Sequence, residues 1–132
     1  MLKHLDLKNP PSLQSLLVLV ASIHKVYFCF QDQAQSACFS KGGEVIIIAM
    51  TSGKWMVLDA NTREIYGLFQ DGSEALHTAR YSPDGKFLAL GSRDGILYIY
   101  QVSADFKKYH RMGRCLVSKS NLLSYSVANS KI

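Results

Sequence analysis

Residues 36–59 and 78–101 are two copies of one pattern, offset by 42 residues, and no other feature constrains the fold as tightly. The first copy reads SACFSKGGEVIIIAMTSGKWMVLD and the second TARYSPDGKFLALGSRDGILYIYQ. Phe39 aligns with Tyr81, Ser40 with Ser82, Gly43 with Gly85, Ala49 with Gly91 and Gly53 with Gly95. In the second copy the alternating Ala79 and Tyr81 end at Ser82-Pro83-Asp84-Gly85, where Pro presets φ and Gly accepts a positive one. A short apolar strand, Phe87 to Leu90, follows and closes at Arg93-Asp94-Gly95, since Asp-Gly between apolar runs is a strong hairpin signal. The next strand, Ile96 to Val102, is β-branched and aromatic. The first copy repeats the scheme, with Gly42-Gly43 and Ser52-Gly53 in the turns and Val45–Ala49 and Trp55–Leu58 as strands. Glu64–Phe69 and Tyr109–Cys115 read as weaker outer strands, which gives four strands per copy and no helical period over 32–116.

A repeat of roughly 40–45 residues built from four strands is the blade of a WD-type β-propeller. The expected fold is therefore all-β: a WD40-type propeller fragment of two four-stranded antiparallel blades, with irregular ends. The expected division is an N-terminal segment over 1–31, blades over 32–70 and 71–116, and an irregular tail over 117–132. A closed propeller takes at least about four blades, so the remaining blades are expected partners that these 132 residues do not supply. Two blades alone would expose apolar rows such as Val45, Ile47, Phe87 and Ala89, and a chain of that kind is expected to be marginally folded.

Charge and cysteine content exclude several function classes. The net charge is +5, but residues 32–116 carry ten Lys/Arg against nine Asp/Glu, so the body is nearly neutral and gives no case for nucleic acid. Cys29, Cys38 and Cys115 have neither zinc spacing nor the even count of a disulfide framework, and Cys38 reads as a small buried apolar residue. The apolar run Leu16–Ile23 is too short to span a membrane, for which about 20 residues are needed. It reads as a buried hydrophobic strand, with a poor secretory signal as the sharper alternative.

No catalytic, cofactor-binding or metal motif is present, and the expected protein is not an enzyme. His77 near Glu74 and Asp71 reads as a solvated inter-blade loop. Trp55, aligned with Leu97, reads as packing between blades. Asp84, Gly85, Asp94, Gly95, Gly43 and Gly53 are structural turn residues. The one local charge excess, Lys107, Lys108, Arg111 and Arg114 with His110, is a candidate contact for an acidic partner.

The resemblance extends beyond a generic WD repeat. The runs Ala34-Gln35-Ser36-Ala37-Cys38-Phe39-Ser40, Gly53-Lys54-Trp55-Met56-Val57-Leu58-Asp59-Ala60 and Thr62-Arg63-Glu64 are similar to the echinoderm microtubule-associated protein-like family. So are Asp71-Gly72-Ser73-Glu74, Arg80 to Gly85, Leu88 to Asp94, Tyr98-Ile99-Tyr100, Lys108-Tyr109 and Gly113-Arg114-Cys115. The usual Gly-His of a WD repeat is Asp71-Gly72 here, and the usual Trp-Asp is Leu58-Asp59 in one blade and Tyr100-Gln101 in the other. The resemblance runs from Asp32 to about Leu116 and implies blades of the more C-terminal of two fused propellers. It further implies tubulin and microtubules as partners, a cytoplasmic, cytoskeletal location, and a non-enzymatic role in microtubule organisation. The alternatives are a generic WD scaffold or a truncated product without independent function. No stretch resembles the family's N-terminal coiled coil.

The match breaks off at Val26-Tyr27-Phe28-Cys29-Phe30-Gln31, which a pyrimidine-rich tract ending in CAG would encode. At the other end Val117-Ser118-Lys119-Ser120 can be read as GTAAGT followed by purine-rich codons. The expectation is that residues 1–31 and 117–132 are read-through of flanking introns.

Overall fold

A computed structural model describes residues 4–5, 17–24 and 31–116. The strands are β1 (His4–Leu5), β2 (Ala34–Phe39), β3 (Val45–Met50), β4 (Lys54–Asp59), β5 (Ile65–Gln70), β6 (Leu76–Tyr81), β7 (Phe87–Ser92), β8 (Ile96–Val102) and β9 (Tyr109–Leu116). β2 to β5 form one antiparallel meander and β6 to β9 the second. β1 adds in parallel to the free edge of β2. Cys29 and the tail 117–132 lie outside the described residues.

The two sheets are copies down to their irregularities. The ladder shifts register between Ala34 and Ser36 in the first sheet and between Leu76 and Thr78, 42 residues on, in the second. The outer ladders break at Val57/Leu58 and again at Ile99/Tyr100. Bulges that recur at the repeat offset are part of the blade's design, since each adds local twist at a fixed place.

Alternation along β3 and β4 divides the core in two. Val45, Ile47, Ala49, Trp55 and Val57 face the second sheet and join Leu88, Leu90, Tyr98 and Tyr100 in one buried cluster. Ile46, Ile48, Met50, Met56 and Leu58 face the other way and form a second cluster with Ala34 and Ala37. The sheets meet where β6 lies against β2 and β3.

Two expectations are corrected by this arrangement. Val45 and Ile47 are buried between the blades rather than exposed, because odd-numbered residues of β3 point at the neighbouring sheet. The rows pointing away are Ile46, Ile48, Met56 and Leu58, and they too are fully buried. The run within Leu16–Ile23 is not a strand: residues 17–24 are helical. Leu19 is 3% exposed in the second cluster, with Val18 and Ile23 packed beside it and Ser22 buried. Residues 19, 22 and 23 share one helical face, and that spacing lets a short helix lie on the sheet. Ser22 Oγ donates to the Val18 carbonyl at 2.8 Å, a bond that keeps its hydroxyl satisfied in an apolar setting. Phe87 and Ala89, on the far face of the second sheet, are partly exposed.

Candidate interaction surface

Three tight turns are built by one device, a Ser two residues before an Asp. Ser82 Oγ donates to Asp84 Oδ1 at 2.6 Å and accepts from the Phe87 amide at 3.0 Å, while the Lys86 amide reaches Asp84 at 2.9 Å. Ser92 and Asp94 pair in the same way, with the Ile96 amide on Asp94. Ser103 Oγ donates to Asp105 Oδ1 at 2.6 Å and accepts from the Lys108 amide at 2.9 Å. Each carboxylate replaces a turn partner that the backbone alone lacks. The Ser hydroxyl and neighbouring amides hold the carboxyls of Asp84 and Asp105 below the usual range. The third turn carries Phe106 at φ 61° where the second has Gly95 at φ 87°, and it went unread in the sequence although Ser103-Ala104-Asp105 displays the same spacing. The Phe106 ring stands edge-on to Tyr81 at 5.7 Å, a contact that offsets the left-handed backbone.

Between the blades Trp55 is 1% exposed and central to a ring cluster. Phe69 stacks on it at 4.4 Å, Tyr100 tilts against it at 4.7 Å, and Tyr109 meets it edge-on at 5.5 Å. Phe69 belongs to the first sheet, and Tyr100 and Tyr109 to the second. The indole therefore fastens one blade to the other.

Asp59 ends β4 and anchors the turn into β5. Its carboxylate accepts the Tyr66 hydroxyl at 2.5 Å and the Asn61 and Thr62 amides at 2.8 Å each. The Tyr66 bond, first among these, holds Asp59 down at about 2, against a usual 3.8. Because the folded carboxyl is the more acidic, its contribution to stability is complete above about pH 4 and fades as pH falls towards 2. Tyr66 is held up at about 12, chiefly by Asp59, so its share is complete below pH 10 and fades between 10 and 12. Asp59→Asn should flatten stability against pH between 4 and 2, as read from urea midpoints; an unchanged acid limb would contradict the assignment.

The basic residues do not converge on one point. Lys107 and Lys108 lie in the turn before β9, and Arg111 and Arg114 follow along that outer strand. Arg111 pairs with Asp71 of the inter-blade connection at 3.1 Å. The Lys107 ammonium stands 5.0 Å from the centre of the Tyr66 ring on the first sheet, a cation–π contact across the blade junction. Lys108 and Arg114 are exposed. The cluster is thus a stripe down an outer edge strand, part of it spent on holding the blades together. Met112 at 56% and Leu116 at 79% exposure alternate with it, so the edge offers both charge and apolar surface.

Asp71 pairs with Arg111 and Glu74 is exposed in the connection, but His77 is not in the loop: it stands half-buried on β6, because the inner strand of the second blade already begins at Leu76. Among the described residues no group of three His, Cys, Asp or Glu side chains could hold a metal ion. Among the described residues no helix is long and apolar enough to cross a membrane. Cys38 is buried and Cys115 exposed, and neither forms a disulfide among the described residues.

No protein-family model matches the chain. It is 45% identical over 85 residues to echinoderm microtubule-associated protein-like 1 of Homo sapiens, a match covering 64% of this chain and 10% of that protein. It is 49% identical over 80 residues to echinoderm microtubule-associated protein-like 3 of Homo sapiens, covering 61% and 9%. The 77 kDa echinoderm microtubule-associated protein of Lytechinus variegatus is 45% identical over 85 residues, covering 64% and 13%. The chain thus spans about a tenth of the length of these relatives. In structure it is similar to the Myceliophteria thermophila Cps50 (Swd1) β-propeller domain, with a TM-score of 0.57 at 21% identity, covering 63% of this chain and 28% of that one. Saccharomyces cerevisiae Sqt1 gives a TM-score of 0.62 at 8% identity, covering 67% and 24%. The two sheets are blades of a WD-type β-propeller, and over 85 residues the chain is similar in sequence to the echinoderm microtubule-associated protein-like proteins.

Proposed function

We propose that the chain binds tubulin on the microtubule surface through the outer side of its blades, as a non-enzymatic interaction module of the cytoplasmic microtubule cytoskeleton. The observation that carries this reading is the 45–49% identity to proteins described as microtubule-associated. A match of 80–85 residues in a chain of 132 is long enough to reach into both blades. The physical support is a packed pair of blades that presents Lys108 and Arg114 along an exposed edge. Acidic tubulin tails are the matching partner for such an edge, and recognition of this kind needs a surface rather than a pocket.

The test is co-sedimentation of the full chain with taxol-stabilised microtubules. The chain is expected in the pellet at low salt and progressively in the supernatant as salt rises. Lys108→Glu with Arg114→Glu should weaken binding by about tenfold, since each reversed contact at an exposed rim is worth up to about 1 kcal/mol. A chain that stays in the supernatant at low salt while retaining folded Trp55 fluorescence would overturn the reading.

A further inference from the structure

The 42-residue repeat identifies which face of each blade is made to receive another blade. In the second blade the face packed on the first is built from Leu88, Leu90, Tyr98 and Tyr100. Subtracting the offset gives Ile46, Ile48, Met56 and Leu58. Those four line the first blade's other face, and there they pack with Leu19, Val18 and Ile23 of the helical segment. The correspondence holds on the inner strand, where Leu76 and Ala79 map to Ala34 and Ala37 of that second cluster.

The opposite interface follows by the same arithmetic. The first blade meets the second through Val45, Ile47 and Val57. Their equivalents in the second blade are Phe87, Ala89 and Ile99. All three are partly exposed, whereas Leu97, the equivalent of Trp55, is buried on that face. One chain therefore contains both halves of a blade-to-blade interface: one half under its own helix, the other partly exposed.

We infer that residues 17–24 are a self-cap that stands in for a preceding blade and blocks head-to-tail addition of a second copy. While Leu19 is seated on Ile46, Ile48 and Met56, no blade can reach them. When it leaves, the open Phe87–Ala89 face of one copy fits the uncovered face of the next, through the contact the chain already makes internally. Such a contact is heterologous, and it closes into a ring when each addition turns by the angle between propeller blades. Two-blade copies reach the roughly four to eight blades of known propellers at about two to four copies.

Sedimentation velocity on the full chain tests this. The wild type is expected to remain monomeric up to about 100 µM, well above the concentrations at which specific protein pairs associate. Leu19→Asp should form discrete species with a mass about two to four times the monomer's. Adding Ala89→Arg on the open face should return it to monomer, which separates blade docking from general aggregation of an uncovered apolar face. Leu19→Ala is run in parallel, with Trp55 fluorescence reporting which variant is folded. The proposal is overturned if a folded Leu19 variant stays monomeric at that concentration, if Ala89→Arg leaves assembly unchanged, or if both Leu19 variants unfold without assembling.

Discussion

Trp55→Ala is expected to remove roughly half of the chain's folding stability. The indole is fully enclosed and touches rings from both sheets: Phe69 on its own, Tyr100 and Tyr109 on the other. Truncating an enclosed Trp costs about 3–5 kcal/mol, through lost transfer energy plus the cavity left behind. A domain of this length has only about 5–10 kcal/mol in all. Two blades share one interface, so the loss cannot be spread over a ring. The cavity should also resist collapse, because its walls come from two sheets whose own ladders fix their positions. The indole Nε1 of Trp55 is buried without a hydrogen-bond partner among the described residues, but truncation to Ala removes the whole ring with it. The hydroxyl of Tyr100 can be removed alone. It is buried and, among the described residues, without a hydrogen-bond partner, so Tyr100→Phe removes an uncompensated polar atom at almost no cost in shape. The expected order of urea midpoints is Tyr100→Phe at or above wild type and Trp55→Ala far below. A Trp55→Ala midpoint within about 1 kcal/mol of wild type would show that the blades are not fastened there.

How much of this was legible depended on whether the signal was local. Asp94-Gly95 and Asp84-Gly85 announced their turns because Asp and Gly each solve a problem of the backbone at that position, and the strands between them were found to within a residue or two. Which face of β3 meets the neighbouring blade was not legible. Val45 to Met50 is apolar at every position, so alternation carries no contrast between inside and outside. The same lack of contrast hid the helix at 17–24, where Leu17, Val20 and Leu19 look alike in sequence and only packing distinguishes them. The basic cluster read as one patch because its members are close in the chain. Its actual partners are Asp71, 40 residues from Arg111, and Tyr66 on the other blade. Pairings at that separation leave no local trace.

Gly53 lets the β3–β4 turn come close to the connection between the blades, and Gly53→Ala should be more damaging than Gly43→Ala. Its φ of 90° lies where an L-residue is strained, and a Cβ there would stand 2.6 Å from the Gly72 carbonyl oxygen and 2.8 Å from that of Glu74. Both oxygens belong to the connection between the blades, and neither can swing aside as a side chain would. The chain also ties this turn down from the flanks. Gln70 Nε2 donates to the Ser52 carbonyl at 3.3 Å and to that of Gly72 at 3.1 Å. Relief therefore requires shifting the blade connection itself. Gly43 is the control: its φ is 78°, but a Cβ would meet nothing within 4 Å. Gly43→Ala should lose only the conformational term, about 1 kcal/mol, and Gly53→Ala about 2–4 kcal/mol once the steric conflict is added. Equal losses, measured as urea midpoints under the same conditions, would mean that the close approach of the β3–β4 turn to the inter-blade connection carries no energy. A larger loss at Gly53 would locate the junction in two places: an indole at its centre, and a glycine at its rim that lets two backbones touch.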